Sequence, residues 1–272
     1  MCGRYVIAST VKVIEKKFKV KAAPELVFEP NYNVTVGNLA PIITSENPTE
    51  IQLAEFGFTP DWADKKKYIL NARSEGDHNP ENRADYTGAK GIFLKPYFKK
   101  SIRFKRCVVL ADAFIEGPTK EKLNQPYLVY LINKKRPFAM AGIYDDWIDK
   151  STGEITRSFA ILTCPPNELM NKIHHHRMPV ILNDDDVAFY LNKTTTQHEV
   201  GDLLRSYDYK LMNAYRISPE IKKPNLNEKE LINPIDEPVQ KEYYFEKKQT
   251  IKLVGMGMTS SREQRLKEQE EG

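Results

Sequence analysis

Short stretches of apolar residues, alternating with polar ones or running together, recur along the chain between turn-forming residues. Ile51–Phe58, Cys107–Ala111, Tyr127–Leu131, Phe138–Ile143, Phe159–Thr163 and Met178–Leu182 are rich in β-branched and aromatic side chains and read as strands. Helical periodicity is expected over Ser9–Phe18, Asn167–Ile173, Asp184–Leu191 and Thr196–Leu204, with Asn167 and Asp184 standing where N-caps belong. The mixture predicts an α+β fold: a single compact domain with a β-rich, barrel-like, largely antiparallel sheet and surrounding helices. Glu75–Asp85, with Gly76, Asn79, Pro80 and Asn82, reads as a long loop. Apolar content almost vanishes after Gly257, so the expected domain spans residues 2–257 and a polar, disordered tail spans 258–272.

Composition narrows the class. Hydrophobic residues make up 40% and charged residues 29% of the 272, as in ordinary soluble proteins. No apolar run approaches the roughly 18 residues of a membrane span, and the N-terminus lacks the apolar segment of a secretory signal. A cytoplasmic protein is expected, or a nuclear one if the source is eukaryotic, acting as a monomer without a membrane partner. Cys2, Cys107 and Cys164 form no short-range pairing pattern and are expected as free thiols. Cys107 and Cys164 lie in apolar strands, where a cysteine behaves as a small hydrophobe.

The net charge of +4 is permissive for nucleic acid; its distribution says more. Lys90, Lys95, Lys99, Lys100, Arg103, Lys105 and Arg106 follow one another with no acidic residue between them, and Tyr97, Phe98 and Phe104 are interleaved. Cations for phosphates and rings for bases are what a single-strand groove needs. The competing reading is a solvated loop with core aromatics.

Cys2 is different from the other two cysteines. Removal of Met1 gives it a free α-amine beside its thiol, and an α-amine with a pKa of roughly 7.7–8 is partly neutral at physiological pH. Such an aminothiol condenses with an aldehyde to a Schiff base, and the thiolate then closes a five-membered thiazolidine.

Five sequence blocks in order carry a family resemblance: Met1-Cys2-Gly3-Arg4-Tyr5, Phe56-Gly57-Phe58-Thr59-Pro60-Asp61-Trp62, Asn71-Ala72-Arg73-Ser74-Glu75, Ala111-Asp112-Ala113-Phe114-Ile115-Glu116 and His175-His176-Arg177-Met178-Pro179. Together they resemble the signature of the SOS response-associated peptidase family, which includes abasic-site sensors. The resemblance implies a compact β-rich fold and a site centred on Cys2 that forms a covalent crosslink to abasic sites in single-stranded DNA, after autocatalytic removal of Met1.

Carried over block by block, Asn71 would hold the abasic sugar or the terminal amine, and Glu116 would be the general acid/base. Arg4, Arg73 and Arg177 would contact DNA, joined by Lys99, Lys100 and Arg103 of the basic run. Glu116 has apolar neighbours in Phe114, Ile115, Gly117 and Pro118, which favours a raised pKa and proton shuttling. The family's Ile-His-x-Arg-Met-Pro is one residue longer here: counting forward from Ile173 selects His174, and counting back from Arg177 selects His175. The strand after Pro179 fixes the register, so His175 is taken as the catalytic histidine.

Three successive histidines suggest a metal, but neighbouring side chains on an extended chain face opposite ways, so neither metal nor cofactor is expected. Two departures from the family pattern bear on base stacking: Glu116-Gly117 in place of Glu-Trp, and Phe56-Gly57-Phe58 in place of Trp-Gly-Leu. Two other functions compete. A cysteine peptidase acting in trans would turn over peptides without DNA. A non-covalent single-strand binding module would survive loss of Cys2.

Overall fold

The computed structural model describes residues 3–132 and 136–242. Cys2 and the expected tail at 258–272 lie outside the described residues. The compact unit ends at Gln240. Its strands are β1 (Tyr5–Ile7), β2 (Lys21–Ala22), β3 (Asn31–Val34), β4 (Leu39–Thr44), β5 (Glu50–Phe56), β6 (Asn71–Arg73), β7 (Arg106–Ala111), β8 (Ala113–Glu116), β9 (Tyr127–Leu131), β10 (Phe138–Ile148), β11 (Ile155–Cys164), β12 (Met178–Pro179), β13 (Ile181–Leu182) and β14 (Met212–Arg216). The α-helices are α1 (Val11–Phe18), α2 (Lys99–Phe104), α3 (Glu168–Lys172), α4 (Asp186–Leu191) and α5 (Gln197–Leu203).

Strands β5, β4, β7, β10 and β11 pair antiparallel in that order, and a parallel pairing of β11 with β5 closes them into a barrel. The closing register sets Phe159 opposite Phe56, and their rings stack at 5.2 Å. Tyr5 of β1 meets Phe56 edge-on at 5.6 Å, so the same ring ties the barrel to a second, five-stranded antiparallel sheet ordered β14-β9-β8-β1-β3. Each such ring contributes roughly 1.5–3 kcal/mol through burial.

β7 is buried along its whole length, with the barrel interior on one face and α2 and α4 packed on the other. That two-sided cover is why Cys107–Ala111 reads as a continuous apolar run rather than an alternating one. Beyond Ala111 the chain passes from the barrel into the second sheet. Asp112 is the pivot: its carboxylate accepts from Ala8 N, Ser9 N and Ser9 Oγ at 2.6–2.7 Å, which holds the approach to α1. The strand that continues, β8, ends at Glu116.

Several elements are longer, shorter or additional relative to the sequence pattern. β10 runs on through Tyr144–Ile148 because Asp145 and Asp146, which break the apolar pattern, are paired. Asp145 takes Lys105 Nζ at 2.6 Å, and Asp146 takes Arg157 from the opposite position on β11 at 2.7 Å. β1, β3, β6 and β8 are only three or four residues long, too short for period two to emerge. Asn167 caps α3 by accepting from Met170 N at 3.0 Å, and Thr196 forms a capping box with Glu199 before α5. Asp184 is not a cap. The N-cap of α4 is Asp185, whose side chain makes no capping bond, and the turn is instead held by Asn183 Nδ2 donating to Asp186 Oδ2 at 2.8 Å.

Candidate active site

The end of β8 and the segment after α3 come together at a cavity of about 650 Å³ lined by Gly3, Arg4, Glu116, His175, His176 and Lys122 among others. Helix α3 stops because His174 adopts a left-handed backbone, φ 56°, an unfavourable conformation for a non-glycine residue. The turn leaves His174 exposed and brings His175 back as a buried side chain, while its N–H donates to Met170 O at 2.9 Å. His176 is half-buried beside it, the two rings 5.1 Å apart.

His175 Nδ1 lies 2.7 Å from the carbonyl oxygen of Gly117. A carbonyl only accepts, so Nδ1 carries the proton and Nε2 of the neutral ring carries a lone pair. Nε2 stands 3.3 Å from Glu116 Oε2. Burial pushes the Glu116 carboxyl up to about 7 and holds the His175 imidazole down at about 4. Both shifts disfavour charge, so the contact is not an ion pair at neutral pH. Between a pH of about 4 and about 7 the two groups hold one proton between them, on the Glu116 carboxyl, while the imidazole stays neutral. A carboxyl with its pKa near 7 beside a neutral imidazole is equipped to take a proton from an amine and return it to an oxygen.

Thr119 extends this arrangement. Its N–H and its hydroxyl both donate to His174 O at 3.0 Å, so its oxygen accepts from His176 Nδ1 at 2.8 Å. Residues 117 and 119 thus orient two imidazoles. No sequence signal marked Thr119.

A second cluster lies where β6 and β12 flank the end of β11. Asn71 and Arg73 are half-buried with Ala72 fully buried between them, so the two polar side chains share one face of β6. Arg73 donates to Asn79 O and to Asn82 Oδ1. Burial lowers its pKa, the nearby Arg177 charge lowers it further, and the charges of Glu75 and Asp77 act against both.

Arg177, expected as a DNA contact, lies inside the fold. It is 2% exposed, and its guanidinium grips both oxygens of Glu75 at 2.7 and 2.9 Å while bonding Thr163 O and Oγ1 at 2.8 and 3.0 Å. Burial raises the Glu75 pKa, but the hydrogen bonds and charge of Arg177 outweigh it and hold the carboxyl below its ordinary value. The loop after Glu75 is therefore anchored inward by a buried, bidentate pair.

The blocks that build both clusters span the length matched by the family profile described as SOS response associated peptidase (SRAP), which covers residues 1–224. The chain belongs to the SRAP family. Abasic site processing protein YoqW of Bacillus subtilis (strain 168) is similar at 32% identity over 238 residues, 85% of this chain and 99% of that protein. Abasic site processing protein HMCES of Xenopus tropicalis is similar at 29% over 187 residues, 59% of this chain and 53% of that one. A crystal structure of a protein from Bacteroides thetaiotaomicron superposes with a TM-score of 0.73 at 28% identity, covering 86% of this chain and 99% of that chain.

Within this SRAP chain the basic run from Lys90 to Arg106 is not a continuous cationic face. Lys95 pairs with Asp77, Lys100 with Asp61 and Lys105 with Asp145. Arg106 is buried and donates to the carbonyls of Tyr190, Ile102, Arg103 and Asn192. Arg103 donates to Phe93 O at 3.2 Å, and Lys90 and the exposed Lys99 form no ion pair among the described residues. Arg4 donates to Asn33 Oδ1 at 2.6 Å and to Lys222 O at 2.7 Å at the edge of the cavity. Among the described residues there is no group of three or more His, Cys, Asp or Glu side chains able to hold a metal, and no helix is long and apolar enough to cross a membrane.

Proposed function

We propose that this protein forms a covalent crosslink through Cys2 to abasic sites in single-stranded DNA. The observation that carries the reading is the buried pair of Glu116 and His175, set in a cavity whose wall includes Gly3, the residue after Cys2. The names of relatives such as YoqW, an abasic site processing protein, support the substrate.

The chemistry asks for two proton movements, and the pair suits both. Glu116 as carboxylate takes a proton from the α-ammonium of Cys2, leaving a neutral amine to attack C1′ of the ring-opened sugar aldehyde. Water leaves as the carbinolamine collapses to the iminium, with the carboxyl returning its proton to the departing hydroxyl. The thiol of Cys2 gives its proton to the Glu116 carboxylate, its sulfur bonds to the iminium carbon, and the electron pair of the C=N bond moves to nitrogen, giving the thiazolidine. Asn71 would orient the sugar, and Arg73 would hold a neighbouring phosphate. Removal of Met1 by the same nucleophile is the step that exposes the amine.

The other thiols are unsuited to this role. Cys107 and Cys164 are buried, and burial raises both, Cys164 to about 12. A glycosylase-treated, uracil-containing single strand mixed with Met1-processed protein should give a covalent band on a denaturing gel. If Cys2→Ala forms that band as readily as wild type, the proposal fails.

A further inference from the structure

Three lysines beside the cavity share with Lys90 and Lys99 the lack of an acidic partner among the described residues. Lys120, Lys122 and Lys222 are exposed, and no ion pair to any of them is found among the described residues, whereas Lys95, Lys100 and Lys105 each have one. Within the segment 118–125 the one acid is Glu121, and the nearby Lys223 pairs with Glu220.

This segment is a built wall, not a loose loop. A Cβ on Gly117 would overlap the carbonyl oxygen of Lys122, so the loop packs directly on the residue whose carbonyl anchors His175. Lys122 N donates to Pro118 O at 2.7 Å, Asn124 N donates to Glu121 O at 3.0 Å, and Thr119 is fastened to His174. Lys122 itself has φ 52°, and its residue lines the cavity. Lys222 Nζ donates to Asn124 Oδ1 at 2.7 Å, and its carbonyl receives Arg4. His176–Thr119 and Asn124–Lys222–Arg4 are bonded to one another, and the backbone segment 119–124, carrying Lys122, joins the two groups into a rim beside the cavity.

We infer that this rim, centred on Lys122 and Lys222, is where the phosphodiester backbone of a single strand crosses the site. The inference rests on the reading of the cavity as the place where single-stranded DNA is bound. A polyanion gains most from cations whose charge is not already neutralised, because those are the ones whose pairing releases counterions from the strand. Three of the seven cations in the run from Lys90 to Arg106 are already paired with Asp77, Asp61 and Asp145, and Arg106 is buried.

The test uses an oligonucleotide carrying a tetrahydrofuran residue, which has no aldehyde, so binding is read without crosslinking. Affinity is measured over a range of salt for wild type, for Lys122→Gln with Lys222→Gln, and for Lys95→Gln with Lys100→Gln, after thermal melts show all three folded. Each lost phosphate contact reduces the slope of log affinity against log salt by about 0.7 for a single strand. The Lys122/Lys222 pair should lower the slope by about 1.4 and weaken binding at low salt, with the Lys95/Lys100 pair within a few tenths of wild type. If wild type binds and the Lys122/Lys222 variant keeps its slope, the rim assignment is overturned and the covalent reading stands. If wild type shows no salt-dependent binding to the strand at all, both are overturned.

Discussion

Glu116 Oε2 stands 3.3 Å from His175 Nε2, and the Gly117 carbonyl fixes which of the two imidazole nitrogens is protonated. Burying the two groups together has a consequence for stability that neither would give alone. Between pH of about 4.5 and 6.5 the unfolded chain carries a glutamate and a charged histidine, while the folded chain carries a neutral carboxyl and a neutral imidazole. Both states hold one proton on the pair, so the pair makes stability nearly flat over that window.

Breaking the pair should expose each half. With His175→Gln, Glu116 remains raised: the folded state keeps a proton that the unfolded state loses above about 4.5, so stability falls as pH rises towards about 7. With Glu116→Gln, the depressed His175 remains, and stability rises as pH goes from about 4 to 6.5. Each slope integrates to on the order of 3 kcal/mol. Urea unfolding from pH 4 to 8 measures both, and two variants sloping the same way would refute the opposed shifts of the two groups.

Arg177 and Glu75 should behave as a structural pair. Glu75→Gln leaves a buried guanidinium without its carboxylate and is expected to cost about 3–5 kcal/mol in chemical unfolding. A loss below about 1 kcal/mol would place the pair among weak surface bridges instead. In the intact protein the depressed Glu75 carboxyl contributes stability that is present above its unfolded pKa and lost as acid drives pH through its folded value.

His174 and His175 separate by backbone conformation. His175→Ala is expected to slow crosslinking by roughly 10²-fold or more, the usual loss for a proton-transfer group. His174→Gly should leave that rate unchanged and stabilise the fold by up to about 1 kcal/mol, since glycine adopts φ 56° without the Cβ clash. Single-turnover rates with a true abasic strand and a urea melt decide it; slower crosslinking in the His174 variant would reassign the histidine.

Gly117 tolerates no side chain while the wall stays in place. Gly117→Ala must push the Lys122 carbonyl away, and the expected cost is roughly 1–3 kcal/mol with slower crosslinking, because the displaced segment also carries the anchor of His175. Unchanged stability by thermal melt would show that the wall relaxes freely.

The long strands were legible because their burial is written into neighbouring residues. Tyr127–Leu131 was read with its bounds intact, and Phe159–Thr163 lies inside β11. The short strands β1, β6 and β8 are not legible, since partners far along the chain rather than their own pattern stabilise them, whereas Met178–Leu182 reads as one strand and divides into β12 and β13. Glu116 and the histidine triplet were visible as residue types in recognisable blocks, but Thr119 and Lys122 belong to no pattern that local sequence carries.

The sequence by itself determined the apolar strands, the α+β class and the residue types capable of aldehyde and proton chemistry, because propensity and side-chain chemistry are local properties. Only the tertiary structure decided their environment. It closed the barrel by setting Phe56 against Phe159, sent Arg177 inward to Glu75, and neutralised much of the basic run with acids from distant segments. Burial, charge pairing and tautomer depend on which groups meet in space, and those meetings are set by long-range packing.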